Sequence, residues 1–291
     1  MSEDTSGVDG WFAGLDPEDE EAAARAIREG RASAPADWPE AAVEDGFVDD
    51  EAAYYDRLQE AAFVATREAV QERERADDQQ LIHAVRAMDD CRRTANELAE
   101  RLAEWAGTVD PDAGTGVDYA RRLVDGHSSV DEAGVSSLAE RVVDLADEAD
   151  QLEETIDRQA PTVAPNLCTL ADPILAARLI SLAGGLESLA KKPSGTVQVL
   201  GAEDALFAHL RGHAPSPKHG IIYTHDAVRG THPDDRGSAA RAVAGKLAIA
   251  ARIDHYAGDR RPELEADLDE RIRTIQARNT SDREDGGADH E

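Results

Sequence analysis

Five side chains able to bind a metal or move a proton crowd one stretch, HGIIYTHDAVRGTHPDD: His219, His225, Asp226, His232 and Asp234. Imidazoles and carboxylates together can hold an ion that activates water, so metal-dependent hydrolysis is one reading. The spacing gives no i, i+4 ligand pair, and no distant second ligand set is evident. Solvated loop histidines account for the stretch, and the expectation is no metal, no cofactor and no catalytic residue. A second stretch, QVLGAEDALFAHLRG (198–212), reads as a β-like run from Val197 to Leu200, a turn at Gly201, and a helix. Glu203 and Asp204 stand in that helix's first turn. A helix start presents free backbone N–H groups, so this turn is a candidate for holding something. A third candidate is a stripe of Arg241, Gly245, Ala248 and Arg252 on a helix from about Arg236 to Tyr256. Small residues between arginines let a backbone approach closely; ordinary helix packing explains the same pattern.

The elements that must position these residues lie in a chain of 291 residues with 61 acids against 31 Lys and Arg, a net charge of −30. So strong a bias bears on solubility and binding more than on fold. It fits either a disordered acidic interaction protein or a folded protein whose carboxylates keep its surface hydrated in a salt-loaded cytoplasm. Hydrophobic residues make up 41% of the chain and apolar periodicity is sustained, which favours the folded protein. The charge is uneven. Residues 166–262 hold 12 Lys and Arg against 9 acids, and the remainder holds 19 against 52. A near-neutral segment in so acidic a chain points to an anionic partner. Cys91 and Cys168 imply no disulfide framework or zinc site. The acidic N-terminus lacks a signal pattern, and no apolar run approaches the roughly 20 residues of a membrane span, so a soluble cytoplasmic protein is expected.

Residues 1–56 read as irregular, with Pro17, Pro35 and Pro39 among acids. Yet seven of the twelve aromatics lie in the first 63 residues: Trp11, Phe12, Trp38, Phe47, Tyr54, Tyr55 and Phe63. Solvated tails are poor in aromatics, so something packs here. From 57 to 160 a heptad dominates. Leu81, Met88, Ala95 and Leu102 form one series, and Ala84, Cys91, Leu98 and Trp105 the interleaved one. After breaks at GTVDPDAGTG and DGHSS the pattern resumes at Val135, Leu138, Val142, Leu145, Ala149, Leu152 and Ile156. Two such helices predict an antiparallel coiled-coil hairpin, with Leu98 and Leu102 facing Leu145 and Leu152. Its seam is either intramolecular or shared with a second copy. Residues 161–260 predict a compact helical domain, and 261–291 a helix (Leu264, Leu268, Ile272, Ile275) with an acidic tail. The fold class is mainly α.

Three stretches, PNLCTLADPILAARLISLAGGLESLAKKPSGTVQVLGAE, PSPKHGIIYTH and RGSAARAVAGKLAIAARID, cover about a third of the chain almost continuously. They resemble the Nop domain, the RNA–protein binding module of archaeal and eukaryotic box C/D ribonucleoprotein scaffolds, with a spliceosomal relative. DDQQLIHAVRAMDDCRRTANELAERLAEW looks like the family's coiled coil. With the acidity, the resemblance implies a salt-adapted archaeal member. It also implies a non-enzymatic scaffold in which a small ribosomal-type protein binds a kink-turn in the guide RNA and the Nop domain recognises their joint surface. The coiled coil would form a homodimer, and an N-terminal domain would dock fibrillarin, which methylates ribose 2′-hydroxyls. RNA is read by shape, phosphates and splayed bases. Lys218, Arg236, Arg241 and Lys246 can meet phosphates, and His219 can stack on or hydrogen-bond to a base. Gly201, Ala202 and Glu203 are expected at the composite protein–RNA surface. Asp204 and Ser238 stand where the family commonly has Lys, Asp234 and Asp235 replace an aromatic pair, and the N-terminal region is short. An adaptor without RNA is the reading from another class.

Overall fold

The computed structural model describes residues 10–31, 35–126 and 132–286, with side chains as far as 277. All regular structure among them is helical, and the chain divides into two units, 1–76 and 77–291. The expected boundary at 56 falls inside a helix.

In the first unit, α1 (Glu20–Glu29), α2 (Trp38–Glu44) and α3 (Glu51–Glu74) replace the irregular segment expected there. Each start is capped by an aspartate: Asp19 accepts from Ala22 N, Asp37 from Glu40 N and Asp50 from Ala53 N. These acids satisfy orphan N–H groups, a local role that a count of charges conceals. Helices α1 and α2 lie on α3. Phe12, Phe47 and Tyr54 are buried together, with Trp11 and Trp38 against them, and Trp11 Nε1 donates to Tyr54 Oη at 3.2 Å. The aromatics therefore build this unit's own core. Tyr55 and Phe63 stay on its surface, at 52% and 71% exposure.

The second unit opens with α4 (Asp77–Val109), α5 (Gly116–Val124) and α6 (Ala133–Val163); the break at DGHSS lies partly outside the described residues. Helices α4 and α6 pack along their length as the expected hairpin, and α5 lies against both. Leu81, Met88, Ala95 and Leu102 are buried, as are Val135, Val142, Ala149 and Ile156. Leu98, Leu145 and Leu152 are half-buried beside them. In the second heptad series Ala84, Cys91 and Leu98 pack against the core part-buried, and Trp105 alone departs from it. Val85, Ala99 and Ala106 face inward, whereas Trp105 is 43% exposed and lies over the backbone of Gly134. The inserted α5 draws the inward face round, because Leu102 and Ala106 must serve two neighbours at once.

The rest comprises α7 (Pro165–Ala183), α8 (Leu186–Lys191), α9 (Ser194–Val199), α10 (Glu203–Leu210), a 3-10 turn (Ile221–Thr224), α11 (Asp226–Arg229), α12 (Arg236–Tyr256) and α13 (Glu263–Gly286). By length and composition α7 could cross a membrane. Here it is a core helix broken in the middle. Asp172 takes φ 59°, ψ 160°, ahead of Pro173, and its carboxylate accepts from Leu175 N to restart the helix. Helix α12 occupies the centre, with α7, α8, α9, α11 and α13 packed on it. The hydrophobic core runs without a break from Leu81 and Ile156 of the hairpin through α12 to Leu264, Leu268, Ile272 and Ile275 of α13. Expected boundaries at 160 and 260 therefore cross one core. Beyond residue 286 the acidic tail lies outside the described residues.

One polar cluster joins the start of α7 to the end of α12. Asp254 accepts from Asn166 N, Asn166 Nδ2 and Leu167 N at 2.6–3.0 Å, and Asn166 Oδ1 accepts from Arg261 N at 2.6 Å. Asn166 is only 4% exposed, so removing the carboxylate strands buried donors. Asp254→Ala is expected to destabilise the protein by about 3 kcal/mol in chemical denaturation, from the cost of unsatisfied buried donors.

Candidate nucleic-acid interface

The turn at Gly201 is already occupied by the protein's own backbone. Residues 197–199 are the end of α9, not a strand. Gly220 N donates to Gln198 O (2.8 Å), Ile221 N to Leu200 O (2.7 Å), and Gln198 Nε2 to Lys218 O (2.7 Å). The apolar residues that read as β-like end a helix whose last carbonyls bind a loop. Val197 and Leu200 point into the core. The approach is so close that a Cβ on Gly220 would lie 1.9 Å from Leu200 O. Gly201 has φ +80°, which glycine adopts without strain, and its N–H donates to Glu203 Oε1 at 2.9 Å. Glu203 thus closes the turn from within. Asp204 is exposed, and α10 buries none of its residues, leaving Phe207 and Leu210 60% and 72% exposed.

Clamping the loop to α9 delivers Lys218 and His219 to the first turn of α12. His219 stacks on Tyr223 with ring centres 4.6 Å apart and planes at 21°. The Arg236 guanidinium lies over the same tyrosine, 5.4 Å from its centre. Its Nε donates to Thr231 O at 3.1 Å, and the buried Thr231 hydroxyl donates to Ala227 O at 2.7 Å. The Lys218 stem runs past Gly237, whose missing side chain leaves it room. Four side chains from two segments therefore meet: Lys218, His219, Tyr223 and Arg236. Burial lowers the His219 pKa from its ordinary value, and the charges of Arg236 and Lys218 lower it further. The ring is thus neutral at pH 7 and offers one donor and one acceptor between two cations.

The other expected site residues lie apart. Arg241 is exposed farther along α12. Lys246 is paired with Asp267 of α13 at 2.7 Å, and Ala248 is buried in helix packing. Tyr223 was not anticipated. The available signal was an aromatic four residues after His219 in a chain with 4% aromatics, but its partner Arg236 comes from another element. In the stretch whose histidines and aspartates offered metal binding as an alternative, His225 is engaged with backbone. His225 Nδ1 accepts from Ala227 N (3.0 Å), so Nε2 carries the hydrogen that bonds Leu170 O at 2.8 Å. Among the described residues no three His, Cys, Asp or Glu are grouped to hold an ion.

A histidine whose folded pKa is lowered binds protons less readily than in the unfolded chain. Its contribution is therefore present above the unfolded value, about 6.5, and lost as pH falls below it. A proton NMR titration should place the His219 midpoint below 6.5, and Arg236→Ala should move it upward, since one opposing charge is gone.

The family model described as "Nop: snoRNA binding domain, fibrillarin" matches residues 77–276. An uncharacterized NOP5 family protein of Methanocaldococcus jannaschii is 34% identical over 248 residues, covering 72% of this chain and 60% of that protein. Nucleolar protein 58 of Scheffersomyces stipitis is 30% identical, covering 69% of this chain and 48% of its own length. Nucleolar protein 56 of Schizosaccharomyces pombe is 37% identical over 165 residues, 54% of this chain and 32% of that protein. The chain thus spans about a quarter to three fifths of the curated relatives it matches. A crystal structure of a fibrillarin/Nop5p complex contains a chain with the same fold, with TM-score 0.52 and 24% identity, covering 91% of this chain and 98% of that one. With the family model matching 200 of 291 residues, the whole second unit but its C-terminal end, the chain belongs to the Nop family.

Proposed function

We propose that this protein is the core scaffold of a box C/D-type guide-RNA particle. It binds a kink-turn RNA together with a small kink-turn-binding protein, and positions fibrillarin for guide-directed ribose 2′-O-methylation of rRNA or tRNA. The scaffold has no catalytic role and needs no cofactor; methyl transfer belongs to fibrillarin. The observation that carries this reading is the convergence of Lys218, His219, Tyr223 and Arg236 at one end of α12, within the stretch matched to the snoRNA-binding family. Two cations and a neutral imidazole stacked on a tyrosine suit phosphates and an unpaired base. Gly201, Ala202 and the exposed face of α10 supply the surface shared with the kink-turn protein. Arg241 extends the phosphate track, and Lys246 joins it by exchanging Asp267 for a phosphate. The particle works in the cytoplasm.

In molar salt counterion release contributes little, so affinity rests on shape, stacking and hydrogen bonds. Asp204 near a helix start is then tolerated and mildly favourable. Arg236→Ala should weaken binding to the RNA–protein pair about tenfold at both low and molar salt, through loss of a stacked, charge-assisted contact. Asp204→Lys should tighten binding at low salt and barely change it at molar salt. Electrophoretic shift with the kink-turn protein and RNA, together and separately, reads both. No binding under any of these conditions would leave the coiled-coil adaptor.

The hairpin, which the buried Leu102 helps to hold, is proposed to pair two copies through the half-buried Leu98, Leu145 and Leu152, and the first unit to hold fibrillarin through the surface around Tyr55 and Phe63. Trp11, Phe12 and Trp38 act indirectly by building that unit's core. Removing residues 1–50 should abolish fibrillarin capture in a pull-down while RNA binding persists. Light scattering in molar potassium chloride should give a dimer mass, lost in Leu98→Asp.

A further inference from the structure

The two ends of α12 are built alike. Arg236 in its first turn directs a guanidinium N–H at a backbone carbonyl, Thr231 O. Arg252 in its last turns does the same twice, with Nε on Ala190 O and Nη2 on Lys192 O, both at 3.1 Å. Carbonyls orient a guanidinium without cancelling its charge. In a chain with 61 acids to 31 Lys and Arg, neither arginine has a carboxylate partner among the described residues. The acids nearest in sequence to Arg252 are committed elsewhere: Asp254 to Asn166 and Leu167, and Asp259 to Arg261 at 3.8 Å.

The likeness extends to an aromatic. Tyr256 follows Arg252 by one turn on the same face, is 66% exposed, and meets His255 edge-on with ring centres 4.5 Å apart. Lys192, whose carbonyl Arg252 holds, adds a second cation at the end of α8. Lys191 lies on the same side. Its ammonium pKa is raised chiefly by the bond to Glu187, with the Tyr256 phenol close enough to contribute. Burial is not the work of Tyr256, because Ala250 and Ala251 make the core contacts of this part of α12. An exposed ring beside oriented cations is what a single strand needs: a base stacks on the ring while phosphates meet Lys and Arg. An acidic polypeptide could meet the cations but would bring no base to the ring.

We propose that Lys192, Arg252, His255 and Tyr256 form a second RNA-binding site at the far end of α12. It takes a single-stranded segment of the same RNA whose kink-turn occupies the first end. At 1.5 Å per residue the two arginines stand about 24 Å apart along one rigid helix, so only an RNA that extends beyond its kink-turn reaches both. The inference rests on RNA binding at the Arg236 end.

The test uses the full chain, the kink-turn protein and two RNAs: a minimal kink-turn, and the same RNA with a single-stranded extension. Lys192 and Tyr256 are off the core, so Lys192→Glu with Tyr256→Ala retains the fold, checked by circular dichroism. The double variant should bind the minimal RNA like the parent. It should bind the extended RNA about tenfold more weakly, the loss of roughly one stacked base. The salt dependence on the extended RNA should also fall by about one phosphate contact. Arg236→Ala should weaken both RNAs. Equal binding of parent and double variant to the extended RNA, while Arg236→Ala weakens it, overturns the second site alone. No effect of Arg236→Ala on either RNA overturns the underlying reading, and the second site with it. Displacement of the extension by poly-glutamate, undiminished by Tyr256→Ala alone, assigns the patch to an acidic protein and also overturns the proposal.

Discussion

Close approach to α12 is the constraint on which the second unit depends. Its inward positions are Ala239, Ala240, Val243, Ala244, Leu247, Ala248, Ala250 and Ala251. Six of the eight are alanine, so the helix presents a narrow cylinder and five other helices reach it. Small side chains contribute little apolar area each, but they let neighbouring backbones approach and pack densely. One central helix thereby gathers α7, α8 and α9, and α9 in turn holds the loop that carries Lys218 and His219. The polar cluster of Asn166, Asp254 and Arg261 N fixes the rotation of α12 against α7.

Charge follows the same economy of position. The first unit places aspartates at three helix starts, where each completes backbone hydrogen bonding. In the hairpin, Arg121 pairs with Asp147 at 2.6 Å across α5 and α6, and Arg178 with Asp89 at 2.6 Å, tying α7 to α4. These pairs are part-exposed and contribute modestly. Around α12 both patterns occur: Lys191, Arg229 and Lys246 pair with carboxylates, whereas Lys218, Arg236 and Arg252 lie against glycine-lined space, an aromatic face or backbone carbonyls. The segment between 166 and 262, with 12 Lys and Arg against 9 acids, thus holds three cations that are oriented by groups other than carboxylates.

Much of the helical layout was legible in the sequence. The span of α12, the inward residues of α13, the heptad series from Leu81 to Leu102 and the aromatic cluster of the first unit all follow from periodicity and composition. The errors share one cause. Val197 to Leu200 read as a strand because apolar residues there are consecutive, yet they end a helix whose carbonyls pair with residues some twenty positions on. Trp105 read as a seam residue because it keeps the heptad, but α5 turned the seam toward Ala106. Residues 20–29 and 38–44 read as irregular because prolines and acids punctuate them, yet those aspartates start helices.

By itself, then, the sequence determined that the long segments are helical, where their apolar faces lie, and that one segment is spared the general acidity. Those are properties of neighbours within a few residues, set by backbone geometry and the period of a helix. Only the tertiary structure decided what each polar side chain does. Glu203 closes its own turn, Lys246 is tied to Asp267, and His225 holds Leu170 O. Tyr223 joins His219 to Arg236, thirteen residues on and on another helix. A hydrogen bond or a stacked ring has its partner only once chain folding brings distant backbone within about 3–6 Å, and no local pattern encodes that distance.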